Sequence, residues 1–229
     1  VCIKKYILNT TLTGCFSSLA IYLVLVLKIL PRLTKDQPPF QLKNILLVYN
    51  AFQVAYSIYL VLLVSWRFLF IYHVLNLYND IIKDIRPYFI AKYIDLLDTV
   101  FFVLRKKGDQ VTFLHLYHHC VMVTWQWLHL FYHPNDQFVF VGFLNSFVHI
   151  FMYTYYGLAS LGPKYAKYVW WKKHLTKIQL VIMILLHYQY EWSLCRIPAF
   201  FHWFCLLNIS FFFVLFLKFY FKSYTKKIK

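Results

Sequence analysis

The sequence predicts an all-α, polytopic membrane protein. Hydrophobic residues make up 61% of its 229 residues and aromatic residues 22%, which is too apolar for an ordinary soluble domain of this length. Its apolar runs have roughly the 17–25 residues that a helix needs to cross a bilayer. We predict seven transmembrane helices, at residues 13–30, 45–66, 88–104, 114–132, 138–159, 175–191 and 199–218. These spans leave little room for a second domain, so residues 1–229 are predicted to form a single membrane domain.

The distribution of basic residues predicts the orientation of these spans. A net charge of +16 could indicate nucleic acid, but most of the 24 lysines and arginines fall on one side of the seven spans. This side also holds the C-terminus and is predicted to be cytosolic by the positive-inside rule. The C-terminal residues Lys-Lys-Ile-Lys at 226–229 are typical of an endoplasmic reticulum retrieval signal. Because the chain begins with Val1 rather than Met, we expect its N-terminus to be incomplete.

The third span carries three ionisable side chains at three-residue intervals, Lys92, Asp95 and Asp98. In a continuous helix these side chains would form one polar stripe. One interpretation is an intramembrane ion pair of Lys92 with Asp95 that stabilises helix packing. The other is the wall of an active site, and the span alone does not decide between them.

The fourth span opens with His115, His118 and His119, at positions i, i+3 and i+4. This spacing predicts three imidazoles on one helical face. An ionisable group inside a membrane is expensive and indicates a functional site. Because the basic residues 105–107 lie shortly before them, we expect the histidines in the cytosolic half of the bilayer.

The fifth span carries a second polar and aromatic stripe, formed by Asn145, His149, Met152, Tyr153 and Tyr156. These residues share one face of a helix because their spacing follows the helical repeat. We therefore expect His149 to face the three histidines of the fourth span.

Three kinds of chemistry could use these histidines. Imidazoles at this spacing bind iron or zinc in membrane desaturases and hydroxylases, but one H-x-x-H-H and a detached His149 are too few ligands for two irons. Imidazole also serves as a nucleophile or as an acid and base near neutral pH. A proton relay in a transporter would be expected with internal repeats or broken helices, and the sequence has neither. The pattern favours nucleophilic or acid–base chemistry without a metal.

Four motifs follow one another along the chain, at residues 92–107, 110–119, 145–156 and 171–179, with Pro39-Phe40 and Tyr49-Asn50 upstream. In this order and spacing they resemble the fatty acid elongase family, over roughly residues 30–220. The resemblance implies a seven-helix barrel around a narrow acyl tunnel in the endoplasmic reticulum membrane. It also implies a 3-oxoacyl-CoA synthase, an acyltransferase that condenses acyl-CoA with malonyl-CoA and releases carbon dioxide and CoA.

The resemblance implies roles for the histidines. His118 would be the nucleophile that forms an acyl-imidazole, and His149 would face it across the tunnel. His115 and His119 would orient or deprotonate the nucleophile. An acyl-enzyme divides one difficult step into two easier ones, and a dry site would protect the intermediates from water.

Further site residues follow from the same resemblance. Asn145 would hydrogen-bond a thioester or enolate oxygen, while Asp95 and Asp98 would fix the imidazole tautomers. The substrate-binding residues would be Lys92, Arg105, Lys106, Lys107, Gln110, Tyr153, Tyr156, Lys172, Lys173 and Gln179. The five basic residues at 105–107 and 172–173 suit CoA phosphates, and equally they suit the ordinary positive flank of a membrane span.

Four places depart from the family pattern. Asp95 stands where the family usually has Glu, Ala91 replaces a common Ser, and Ile182 replaces an expected Gln. Before the fifth span, Asn135-Asp136-Gln137 replaces the usual Gly-Gly. These departures could change the substrate preference or the rate relative to the family. In an inactive paralogue, the reaction itself would be lost. No metal or redox cofactor is expected, because NADPH would belong to later enzymes of the cycle. The expected partners are membrane lipid and those later enzymes: a ketoacyl reductase, a dehydratase and an enoyl reductase.

Overall fold

The computed structural model describes residues 12–70, 77–132, 136–168, 170–192 and 199–224. Within these residues the secondary structure is helical and no β-strand occurs, which confirms the all-α prediction. The basic tail at 226–229 lies outside the described residues, and the retrieval signal stays a prediction.

Helices overlap all seven predicted spans. They are α1 (Leu12–Val24), α2 (Leu30–Leu33), α3 (Lys43–Phe70), α4 (Leu77–Ile94), α5 (Leu97–Leu104), α6 (Phe113–Phe131), α7 (Asp136–Ser160), α8 (Lys172–Trp192) and α9 (Ala199–Tyr224). A π-helical turn, Leu25–Ile29, joins α1 to α2, and short 3-10 turns lie at Gly108–Gln110 and Pro163–Tyr168.

Three of the described helical segments are long and apolar enough to cross a membrane. They are Leu12–Leu33, Lys43–Trp66 and His202–Tyr224. The histidines, Gln126 and the tryptophans of α6 make this helix less apolar than the three segments. A protein with several membrane-spanning helices is thus confirmed, while seven spans and a barrel stay predictions.

The third predicted span is wrong as one continuous helix over 88–104, because Asp95 and Leu96 separate α4 from α5. The Leu96 amide donates to the Tyr93 carbonyl and the Asp98 amide to the Asp95 carbonyl, both at 3.2 Å. These bonds between residues three apart tighten the backbone, as in a 3-10 turn. The predicted stripe is therefore interrupted at Asp95. The prediction failed because an apolar run indicates that a segment is buried, but it does not show whether the backbone hydrogen bonds continue.

The π-helical turn after α1 has a local cause in Pro31, which lies in the first turn of α2. Proline has no backbone N–H, and its ring collides with the carbonyl four residues earlier in a regular helix. The Leu30 amide donates to the Leu25 carbonyl, five residues back. The wider turn accommodates the proline while α1 remains regular through Tyr22.

The chain divides into two compact units, which are Val1–Leu42 with Leu62–Gly142 (unit 1) and Lys43–Val61 with Phe143–Lys229 (unit 2). In unit 1, α4 packs against α6, α2 against α5, and α1 against α6. Its core includes Cys15, Val26, Val123 and Trp127. In unit 2, α8 packs along α9.

Candidate active site

Three histidine rings lie side by side near the start of α6, in unit 1. Thr112 caps this helix, and its hydroxyl accepts a hydrogen bond from the His115 amide at 3.2 Å. The ring centroids of His115 and His119 are 4.2 Å apart, and those of His118 and His119 are 5.5 Å apart. His119 is buried, whereas the other two are half-buried. The helix start thus gathers three imidazoles at the edge of the packed interior.

A buried ion pair lies next to these imidazoles. Lys92 Nζ is 2.9 Å from Asp95 Oδ2, and both side chains are almost fully buried. The ammonium also lies 4.8 Å from the ring centroid of Tyr88. Both charged groups interact electrostatically with His118 and His119. The ion-pair interpretation of the third span is therefore confirmed, while the active-site wall stays a prediction.

Two residues beyond the predicted set are connected to His115 by hydrogen bonds, Thr99 directly and Tyr22 through Thr99. Thr99 Oγ1 is 2.8 Å from His115 Nε2, and the Tyr22 hydroxyl is 2.5 Å from the same Thr99 oxygen. Both residues are buried, as is Asp98 beside them in the first turn of α5. Thr99 could have been found from its place after Asp98 in the motif. Tyr22 carries no such signal, since one tyrosine in an apolar run is typical of packing.

The turn between α5 and α6 carries four predicted substrate-binding residues, Arg105, Lys106, Lys107 and Gln110. The last three are exposed and the first is half-buried. Lys106 has a φ of 53°, a left-handed conformation that is uncommon for residues other than glycine. Its ammonium donates to the Lys35 carbonyl at 2.9 Å, and the Phe40 amide donates to the Leu104 carbonyl at 3.1 Å. The turn is therefore tied to the segment that follows α2.

In unit 2, the α7 stripe is packed through its aromatic rings. It contains the predicted residues Asn145, His149, Tyr153 and Tyr156. The His149 ring contacts the Tyr153 ring edge to face, with centroids 5.4 Å apart. Tyr153 is fully buried and lies 6.0 Å from Tyr49 and 6.1 Å from Tyr156, centroid to centroid. His149 belongs to unit 2, whereas His115, His118 and His119 belong to unit 1. The convergence of these four histidines stays a prediction.

A polar stripe on α3 was missed by the sequence analysis. Asn50, Gln53 and Ser57 are all buried, at positions i, i+3 and i+7, which place them on one helical face. Gln53 Nε2 donates to the Tyr49 hydroxyl at 3.0 Å. Gly157 of α7 adjoins Asn50, since a Cβ at the glycine would lie 3.6 Å from Asn50 Cβ. The periodicity of these polar residues within an apolar run was the available signal.

The remaining predicted residues lie on α8. Lys172 Nζ is 5.0 Å from the ring centroid of Tyr155, and Trp171 packs edge to face against the same ring. Lys173 is exposed and Gln179 half-buried. No group of three or more His, Cys, Asp or Glu side chains in the described segments could hold a metal ion.

These features define a helical membrane protein with a histidine-rich polar site. The family model described as "ELO: GNS1/SUR4 family" matches residues 7–229. The chain is 37% identical to very long chain fatty acid elongase 4 of Macaca mulatta, across 87% of this chain and 68% of the relative. It is 37% identical to very long chain fatty acid elongase 1 of Homo sapiens, across 92% and 81%. The chain belongs to the ELO (GNS1/SUR4) family, which confirms the resemblance seen in its motifs.

Replacing the α6 cap tests how the helix start supports the histidines. Thr112→Ala removes the acceptor of the His115 amide and is expected to cost about 1 kcal/mol of stability. Thr112→Ser keeps the acceptor and is the matched control. Unfolding of both variants in detergent measures the difference, and an equal loss in the serine variant would contradict the capping role.

Proposed function

We propose that this chain catalyses the condensing step of fatty acid elongation, in which acyl-CoA and malonyl-CoA give 3-oxoacyl-CoA, carbon dioxide and CoA. One observation carries the proposal. The family match covers residues 7–229 and thus contains all of α6 and α7 with the four histidines of the predicted site, His115, His118, His119 and His149. The relatives named above are very long chain fatty acid elongases, and the present chain keeps the histidines in spite of its departures at Ala91, Asp95 and Ile182.

In the first step, His118 attacks the thioester carbonyl of acyl-CoA. A new C–N bond forms, the C–S bond breaks, and CoA leaves as a thiolate that takes up the imidazole proton. Imidazole suits this step because it is nucleophilic in its neutral form near physiological pH. His119, whose ring adjoins that of His118, and His115 orient His118 or pass its proton to the thiolate.

In the second step, malonyl-CoA loses carbon dioxide and becomes an enolate without any strong base. The enolate carbon attacks the acyl-imidazole carbonyl, a C–C bond forms, and the C–N bond to His118 breaks. The imidazolate that leaves takes up one proton from solvent, which restores neutral His118. The product is 3-oxoacyl-CoA, which keeps the CoA of the malonyl group. Asn145 donates a hydrogen bond to the enolate or thioester oxygen, and His149 faces His118 across the acyl tunnel.

The charged residues divide between two roles. Asp95 and Asp98 fix the tautomers of the imidazoles, with Lys92 balancing Asp95 at 2.9 Å. CoA phosphates are bound by the cations of the α5–α6 turn and of the start of α8, which are Arg105, Lys106, Lys107, Lys172 and Lys173. Gln110, Tyr153, Tyr156 and Gln179 contact the rest of the substrate.

The membrane setting follows from the same proposal. The chain crosses the endoplasmic reticulum membrane seven times as a barrel around the acyl chain, with its C-terminus in the cytosol. The reaction needs no metal and no redox cofactor of this chain. Its product requires a ketoacyl reductase, a dehydratase and an enoyl reductase in the same membrane to complete one elongation cycle.

The first test is incorporation of labelled malonyl-CoA into 3-oxoacyl-CoA by the purified chain in lipid vesicles, over acyl-CoA primers of several lengths. We expect product without NADPH, and no loss of rate after dialysis against a chelator. Absence of product with every primer, from protein shown to be folded and inserted, would refute the condensing reaction. A rate that falls with chelation and returns with iron or zinc would refute the metal-free mechanism.

A further inference from the structure

We infer that Tyr22, acting through Thr99, is a positioning residue that sets the tautomer of His115. The inference rests on the proposed function for its kinetic consequence, but its structural basis is independent. Three side chains from α1, α5 and α6 form one hydrogen-bonded row within unit 1, and this row ends on a ring nitrogen of the histidine cluster.

The first step of the argument is the geometry of the row. The Tyr22 hydroxyl lies 2.5 Å from Thr99 Oγ1, which lies 2.8 Å from His115 Nε2. Thr99 is completely buried and Tyr22 nearly so, so water does not compete for these bonds. A buried network with well-formed bonds holds its members in one arrangement.

The second step is the direction of the bonds. The Thr99 hydroxyl has one hydrogen and can donate it to only one neighbour. If the Tyr22 hydroxyl donates to Thr99, Thr99 donates to His115 Nε2, and every hydrogen of the two hydroxyls is used. The opposite direction would require another acceptor for the tyrosine hydrogen, and a phenol is the more acidic hydroxyl. The row therefore runs from Tyr22 to His115.

The third step is the consequence for the imidazole. A neutral imidazole that accepts at Nε2 carries its hydrogen on Nδ1. Its ring is also held from the other side, because its centroid lies 5.3 Å from that of Phe102 and 4.2 Å from that of His119. Without Tyr22, Thr99 could rotate and accept from Nε2–H instead, and two tautomers of His115 would coexist. Only one of these tautomers keeps the hydrogen on Nδ1 and the lone pair on Nε2.

The kinetic test compares deletions of single hydroxyls. Thr99→Val should lower kcat about 10-fold, and Tyr22→Phe should lower it by a smaller factor, with KM within about two-fold in both. Thr99→Ser keeps the donor and should restore most of the rate. Because Tyr22 acts only through Thr99, the double variant should be no slower than Thr99→Val alone.

The matched control is Tyr93→Phe. The Tyr93 hydroxyl forms a comparable bond to Ser18 Oγ of α1, at 3.1 Å, and Ser18 Oγ donates to the Cys15 carbonyl of the same helix at 2.8 Å. Tyr93→Phe should leave kcat unchanged. Any of three results would overturn the inference and leave Tyr22 as a packing residue. The first is a loss of kcat in Tyr93→Phe equal to that in Tyr22→Phe, and the second is an unchanged kcat in Tyr22→Phe. The third is a double variant of Tyr22 and Thr99 whose loss of kcat is the product of the two single losses.

A second readout does not depend on the condensing reaction. Diethyl pyrocarbonate modifies an imidazole nitrogen that carries no hydrogen, and the Thr99 hydroxyl covers that nitrogen of His115. Mass spectrometry of the modified chain should show faster carbethoxylation of His115 in Thr99→Val and Tyr22→Phe than in Tyr93→Phe. If the unaltered chain makes no 3-oxoacyl-CoA, the proposed function fails and this readout still decides: faster modification supports the row, and equal modification refutes it.

Discussion

Replacement of His118 with alanine is expected to lower the condensing rate by a factor of about 10³ or more, because loss of a covalent nucleophile removes the intermediate on which both steps depend. The His118 ring lies 5.5 Å from the His119 ring, centroid to centroid, and α6, which carries both rings, packs against α4 with its Lys92. Initial rates of labelled 3-oxoacyl-CoA formation by His118→Ala and by the unaltered chain measure this loss.

The covalent intermediate can be sought directly when malonyl-CoA is left out. The unaltered chain should then release close to one CoA per molecule in a burst, and the acyl mass should remain on the peptide that contains His118. His174→Ala is the control, because His174 is an exposed histidine of α8. A full burst from His118→Ala, or an acyl group found on His149 in the unaltered chain, would contradict the assignment of the nucleophile.

The second large effect concerns stability and the buried ion pair. Asp95→Asn leaves the Lys92 ammonium buried without its carboxylate partner at 2.9 Å. Breaking a buried pair from one side costs about 3–5 kcal/mol, because the remaining charge is not compensated. The unfolding free energy of Asp95→Asn in mixed detergent micelles should fall by this amount relative to the unaltered chain.

The matched variant removes both charges. Lys92→Met with Asp95→Leu should recover most of the stability, since well-packed apolar side chains can replace a buried ion pair at little cost. Its condensing rate should nevertheless stay low, because the proposed function needs the Asp95 carboxylate to fix an imidazole tautomer. A double variant that is as unstable as Asp95→Asn alone would contradict this expectation. Hydrogen bonds made by the Asp95 side chain, and not its charge pairing with Lys92, would then stabilise the turn.

The helices and the family could be predicted from the sequence because both depend on local information. Apolar runs of membrane length and the spacing of His115, His118 and His119 are visible without knowing which helices are neighbours. The motif order then indicated the family, and the family match over residues 7–229 confirmed it. The buried stripe of Asn50, Gln53 and Ser57 was also within reach, because its helical period is in the sequence.

The break at Asp95 and Leu96 could not be predicted in this way. Hydropathy averages over a window, and this average does not change when two residues exchange one pattern of backbone hydrogen bonds for another. The pairing of Lys92 with Asp95 was one of two interpretations, and the structure confirms it. The structure adds that α4, which carries Lys92, packs against α6.

The amino-acid sequence by itself determined the helical class, the membrane-spanning character, the family and the face of α6 that carries the imidazoles, since each follows from composition or from the period of one helix. Only the tertiary structure decided which side chains meet that face. Tyr22 precedes Thr99 by 77 residues and lies in an apolar run that gives it no distinguishing mark. Its connection to His115 runs through Thr99 and exists because α1 packs against α6 and the π-helical turn after α1 packs against α5. Such packing depends on the fit of whole helix surfaces rather than on any local pattern.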